Sequence, residues 1–138
     1  MRVMVLVKAN KQSEAGVLPD TKLLAEMGAF NEALVKAGVM LSGEGLQATS
    51  KGKRVRFSGD QRTVVDGPFA ETKELVAGFW MWQVKSMDEA VEWLKRAPFR
   101  DDEVEIRPVF ETADFGDNLT PELRQKEEGL RAEAARLR

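Results

Sequence analysis

Leu75 to Lys85, LVAGFWMWQVK, is among the most apolar segments of the chain, and its two faces decide the fold. In an extended strand, alternate side chains point to opposite sides. One set here is Val76, Gly78, Trp80, Trp82 and Val84, and the other is Ala77, Phe79, Met81 and Gln83. Neither set is polar enough to meet water, so the segment reads as a central strand covered on both faces.

The elements on either side follow from local signals. Downstream, Ser86 and Glu89 match an S-x-x-E capping box and predict a helix start. Met87, Ala90, Val91 and Leu94 supply its buried face, and Pro98 is expected to stop it. Val104–Phe110 (VEIRPVF) is a last strand, and Pro108 makes it an edge strand. Upstream, the valine-rich run Arg2–Lys8 is a first strand. A loop is expected over Ala9–Asp20, with Asp20 or Thr21 capping the helix that follows. In that helix Leu23, Met27, Phe30 and Leu34 recur at helical spacing, with Leu24 and Val35 beside them. Gly38 fits the left-handed position that ends it. Val39–Gly45 resumes strand character, and Gly43 and Gly45 suggest an edge or a bulge. Lys53–Ser58 and Thr63–Asp66, joined at Gly59-Asp60, form a hairpin with Val55 and Phe57 on one face.

With the hairpin set aside, the order is β-α-β-β-α-β, the ferredoxin-like split unit. Its first and third strands are central, in agreement with the apolar character of Arg2–Lys8 and Leu75–Lys85. Both helices of such a unit cover one sheet face. The other face needs a second layer, and no remaining segment is long enough to supply it. A second copy packed sheet to sheet about a two-fold axis is the economical solution. The fold class is therefore α+β: a ferredoxin-like unit with an inserted β-hairpin, forming a dimeric α+β barrel, with a C-terminal helix. Residues 1–118 make the domain. A helical extension, residues 119–138, starts at the Thr120-Pro121 capping signal and carries Leu123, Leu130 and Leu137 seven residues apart.

Composition narrows the chemistry. A chain of 138 residues suggests one domain with a substantial core. Net charge is −2, so no overall basic field recruits nucleic acid or anionic lipid. The cluster Lys51-Gly-Lys53-Arg54-Val-Arg56 reads as a solvated hairpin edge. The apolar start MRVMVLVKAN is too short for a signal or membrane segment, and a cytoplasmic protein with no membrane partner is expected. There is no cysteine, histidine or tyrosine. Thiolate nucleophiles and disulfides are excluded, and the usual general base and metal ligands are missing. No metal or cofactor is expected, and any acid–base chemistry falls to Asp, Glu, Lys or water.

The run Asp66-Gly67-Pro68-Phe69-Ala70-Glu71-Thr72-Lys73-Glu74, followed by Gly78-Phe79-Trp80, resembles the signature of the YCII-related proteins, in particular the branch named for its DGPF motif. Val104-Glu105-Ile106-Arg107-Pro108-Val109-Phe110 is a second match to that family, and the resemblance spans roughly residues 1–112. It implies a dimeric α+β barrel of the kind seen in antibiotic-biosynthesis monooxygenases and muconolactone isomerase, without an established activity. It also implies a bacterial regulatory setting beside sigma factors of the extracytoplasmic type. The His–Asp pair proposed for the wider group has no counterpart here, and haem ligation by histidine has none either.

Two interpretations of the motif stand side by side. As chemistry, Asp66 at a strand end points into a cleft, Phe69 forms an apolar wall, Glu71 adds charge, and Arg107 binds an anion as a planar fork. As structure, Asp66 holds a turn, Phe69 fills core, and Glu105 and Arg107 pair with neighbours across the sheet. An arginine beside an apolar sheet needs an acid partner, which Asp66 or Glu105 can supply. The candidate ligand-binding residues are thus Asp66, Phe69, Glu71, Glu105 and Arg107, with Asp66 the candidate catalytic group. The leading function is a homodimeric small-ligand binding or regulatory protein. The alternatives are a histidine-independent enzyme acting on a small anionic or aromatic metabolite, and an interaction module working through the terminal helix.

Overall fold

The computed structural model describes residues 1–138. The strands are β1 (Arg2–Lys8), β2 (Met40–Gly45), β3 (Lys53–Ser58), β4 (Gln61–Asp66), β5 (Val76–Gln83) and β6 (Val104–Pro108). The helices are α1 (Lys11–Glu14), α2 (Thr21–Lys36), α3 (Met87–Leu94) and α4 (Pro121–Arg136). The chain divides into two compact units, Met1–Pro108 and Val109–Arg138. No helix is long and apolar enough to cross a membrane.

In the first unit the sheet order is β2-β5-β1-β6, antiparallel throughout. This is the order of the split βαββαβ unit, with β1 and β5 central and β2 and β6 at the edges. Within one chain the sheet is open at both edges and no closed barrel forms. Caps place the helices. The Asp20 carboxylate accepts from the Leu23 N–H at 2.8 Å and starts α2. Ser86 Oγ accepts from the Glu89 N–H at 3.1 Å and starts α3. The Glu89 carboxylate accepts from the Lys85 N–H at 3.2 Å, so the box closes one residue before the cap itself. Gly38 has φ +73°, the left-handed value expected after α2.

Three local expectations change. The segment Ala9–Asp20 contains α1, whose single turn is held by a reciprocal box between Asn10 and Ser13. Four residues are too few for periodicity to reveal. α3 ends at Leu94, four residues before Pro98, because the Lys95, Arg96 and Ala97 N–H groups turn back onto the Val91, Trp93 and Leu94 carbonyls. Leu24 and Val35 face outward, so α2 buries only a narrow stripe, Phe30 and Leu34 with Met27 beside them.

The core lies between the sheet and the two helices. Val3, Val5, Trp80 and Trp82 from the sheet meet Phe30, Leu34 and Ala90 from α2 and α3. Phe30 meets Trp80 and Trp82 edge to face at 5.7 and 6.3 Å. Two of the three tryptophans are thus core residues beneath α2. The third, Trp93, is half-buried on α3 with the Arg96 guanidinium 4.4 Å above its ring.

The alternate set faces the other side. Register places Met4 opposite Met81, and Leu6 opposite Phe79. Ser42 and Glu44 of β2 flank this quartet on one side, and Arg107 and Glu105 of β6 flank it on the other. The face away from α2 and α3 therefore has an apolar centre and a polar rim. β3 and β4 form a separate two-stranded hairpin with a two-residue turn at Gly59-Asp60. Val55 and Val64 stand opposite each other on it, and Arg62 lies 4.7 Å over the Phe57 ring.

The second unit begins with tight turns over Thr112–Asn118, broken at Gly116. Phe110 and Phe115 stack at 5.0 Å. Thr120 caps α4 by accepting from the Leu123 N–H at 3.3 Å, and Pro121 occupies the first turn. Leu123, Leu130 and Leu137 are at least half-exposed along α4.

Candidate functional site

The loop Asp66–Glu74 is a docked structural element. A Cβ built on Gly67 would lie 1.7 Å from the Thr49 carbonyl oxygen, so no other residue fits without moving the backbone. The Gly67 N–H donates to the Gly52 carbonyl at 3.1 Å. The Phe69 N–H donates to Thr49 Oγ1 at 3.1 Å. Thr49 is held in turn by Glu14, whose carboxylate accepts from the Thr49 N–H at 3.0 Å and from its hydroxyl at 2.5 Å. Glu14, Thr49 and Phe69 thus form a relay joining α1, the turn before β3 and the loop. The peptide between Gly67 and Pro68 is cis.

The candidate side chains separate within this frame. Asp66 pairs with Lys53 across the hairpin, and the two side chains are 74% and 66% exposed. An exposed pair of this kind contributes about 0–1 kcal/mol. Phe69 is half-buried, with the Arg54 guanidinium 3.9 Å above its ring. Glu71 has φ +65° and caps the short turn Thr72–Glu74 through its carbonyl, which accepts from the Glu74 N–H at 2.8 Å. On β6, Glu105 takes Lys8 at 3.1 Å and Arg107 at 3.7 Å. The acid partner of Arg107 is therefore Glu105, its neighbour along the strand, while Asp66 is engaged by Lys53.

A different group of residues builds a concave site. A cleft of about 230 Å³ lies between α2 and the β2–β5 half of the sheet, lined by Val7, Met27, Asn31, Gly43, Gly78 and Trp80, with Gly45 at its margin. Glycine makes this space. A Cβ on Gly43 would come within 2.5 Å of Trp80 Cδ1, and one on Gly78 would press the Glu44 carbonyl at 3.1 Å. Trp80 is fixed on several sides: edge contacts to Phe30 and Phe99 at 5.7 and 6.1 Å, and its Nε1–H donates to Asn31 Oδ1 at 2.9 Å. Ala77, Phe79 and Glu44 also border the cleft. Strand alternation turns their side chains to the opposite face, so they meet it through backbone. The cleft is apolar, with one side-chain amide.

None of Asp66, Phe69, Glu71, Glu105 or Arg107 lines this cleft. The motif pointed to the loop, whereas the cleft is built from Asn31 and from strand glycines. Sequence carried one sign of it: Gly43, Gly45 and Gly78 interrupt strands, which marks a bulge or a close approach. Asn31 and the anchors Glu14 and Thr49 carry no local signal. Each acts through a partner at least 20 positions away in the chain.

Comparison with known proteins identifies a family for the chain. Residues 1–113 match the model of the YCII-related domain. A relative, Uncharacterized protein R00369 of Rhizobium meliloti (strain 1021), is 32% identical over 93 residues, covering 65% of this chain and 75% of that protein. The match takes in both units' boundary and the whole β2-β5-β1-β6 sheet, and on that basis the chain belongs to the YCII-related family.

Proposed function

We propose that this protein is a homodimeric small-molecule binding protein that holds its ligand between α2 and the β2–β5 half of the sheet. The observation that carries this is the glycine-floored cleft beside the fixed Trp80 indole. Its volume, about 230 Å³, lies below the range for drug-sized ligands and suits a compact one. No acid, base or nucleophile side chain faces it, so it favours binding over catalysis. A sensor of this kind fits the regulatory setting beside sigma factors that the DGPF motif implies.

The dimer is supported by the face of Met4, Leu6, Phe79 and Met81. It has the apolar centre and polar rim of an interface. Sheet-to-sheet packing of two copies would bury it and close the barrel. The enzyme reading through Asp66 and Arg107 has weaker support, because each is exposed and already ion-paired at a different place on the surface.

Two measurements test the proposal. A thermal-shift screen of small metabolites should raise the melting temperature for at least one class. Saturation at about 100 times Kd adds about 2.7 kcal/mol. If no class raises it and none moves the Trp80 indole resonance, the cleft is not a binding site. Light scattering after size exclusion should give a dimer mass, and Met81→Lys should give a monomer. A monomeric native chain refutes the assembly.

A further inference from the structure

The hydrogen bond between Trp80 and Asn31 fixes more than the indole. Tryptophan Nε1 can only donate, so the atom of Asn31 that faces it must be the carbonyl oxygen. The amide is thereby locked in one orientation, and its NH2 group, with two donors, is left for another partner. Asn31 is half-buried and lines the cleft, where, with the Trp80 N–H already engaged, it is the one side chain with a donor left for a ligand. The other walls are Val7, Met27 and the Trp80 ring over a glycine floor. Charge is absent from this face of the sheet: Glu44, the one ionisable residue at the border, sends its carboxylate to the opposite side.

We infer that the ligand is an uncharged, flat, largely apolar molecule bearing a carbonyl or ether-type oxygen, which Asn31 Nδ2 recognises while the ring packs against Trp80. This rests on the binding reading above. An anion would find one neutral donor and no counter-charge, and a cation would find no carboxylate, only neutral carbonyl oxygens, of which that of Asn31 is already shared with the Trp80 N–H. Neither meets an opposite charge to replace its hydration. A hydrocarbon without oxygen would leave the Asn31 donors unpaired in the occupied cleft.

The test uses four probes of similar size on the full chain: acetophenone, ethylbenzene, benzoate and benzylammonium. Two-dimensional 1H–15N spectra follow the Trp80 indole N–H and the Asn31 side-chain NH2 during titration. Acetophenone should shift both signals and bind about tenfold more tightly than each of the other three, which corresponds to ~1.4 kcal/mol. Asn31→Asp retains an oxygen for the Trp80 N–H but replaces the donor by a carboxylate. It should reverse the order, so that benzylammonium binds best. Asn31→Leu should bring acetophenone and ethylbenzene to near-equal affinity, and unchanged Trp82 and Trp93 indole signals will show that the fold is kept. Benzoate binding as well as acetophenone, or an unchanged preference in Asn31→Asp, overturns the inference while leaving the cleft as a binding site. Failure of every probe to move the Trp80 signal overturns the binding reading as well.

Discussion

Gly67→Ala is the sharpest perturbation of the signature loop. The added methyl would sit 1.7 Å from the Thr49 carbonyl oxygen and 2.6 Å from its carbon. Both are backbone atoms, so no rotamer change relieves the clash and either the loop or the Thr49–Lys51 turn must move. Moving the loop breaks the Gly67–Gly52 and Phe69–Thr49 hydrogen bonds, each 3.1 Å. At about 1 kcal/mol each, their loss costs about 2 kcal/mol. Displacing Phe69 from beneath Arg54 adds roughly 0.5–1 kcal/mol. A total of about 2–3 kcal/mol lowers the melting temperature by roughly 8–12 °C in a chain of this size. Gly28→Ala is the comparator. It lies within α2, nothing stands within 4 Å of its added Cβ, and helix propensity should raise stability by about 0.5–1 kcal/mol. Thermal unfolding by circular dichroism at one protein concentration measures both. A Gly67→Ala melting point within about 2 °C of the native protein, well inside the expected shift, refutes the account of the loop as backbone-docked.

Other outcomes follow from the same contacts. Glu14→Ala leaves the Thr49 N–H and hydroxyl without their acceptor and should cost about 1–2 kcal/mol in urea unfolding. Combined with Gly67→Ala it should be less than additive, because both changes release one anchor; full additivity would separate the α1 contact from the loop. Gly43→Ala should push the Trp80 edge out of its seat and cost about 1–3 kcal/mol. It should also abolish acetophenone binding, and retained binding would show that the cleft does not depend on that glycine. Asp66→Asn should change stability by less than about 1 kcal/mol, since it removes only an exposed pair with Lys53; a larger loss would give Asp66 a structural weight that its surroundings do not suggest.

The sheet was largely legible because its signals are local. Alternation in Leu75–Lys85, the valines of Arg2–Lys8 and Pro108 near the end of the last strand are enough to place two central strands and one edge. The caps Asp20, Ser86 and Thr120 are short-range and fall where the sequence puts them. Boundaries were less secure where a backbone turn ends an element before its nominal stop residue, as at Leu94 ahead of Pro98. What covers Leu24 and Val35 is not a local property. Periodicity placed them beside the buried stripe, yet a stripe centred on Phe30 and Leu34 leaves them facing out.

The site illustrates a deeper limit, and glycine shows where it lies. Gly38, Gly43 and Gly67 look alike as letters but serve three different purposes. Gly38 supplies a left-handed dihedral at a helix end, which its neighbours in sequence already announce. Gly67 makes room for the carbonyl of Thr49, eighteen residues upstream, and Gly43 makes room for an indole from Trp80, thirty-seven residues downstream. Only the first purpose can be read from flanking residues. The other two depend on which backbone or ring the topology brings close, and that is settled by strand order and register. The DGPF motif drew attention to Asp66 because an acid is a visible chemical group, yet the tight constraint in that loop falls on the residue after it. The cleft likewise has no reactive letter to mark it. Its space comes from absent side chains, and its polar side chain is one amide whose orientation is set by a donor forty-nine positions away.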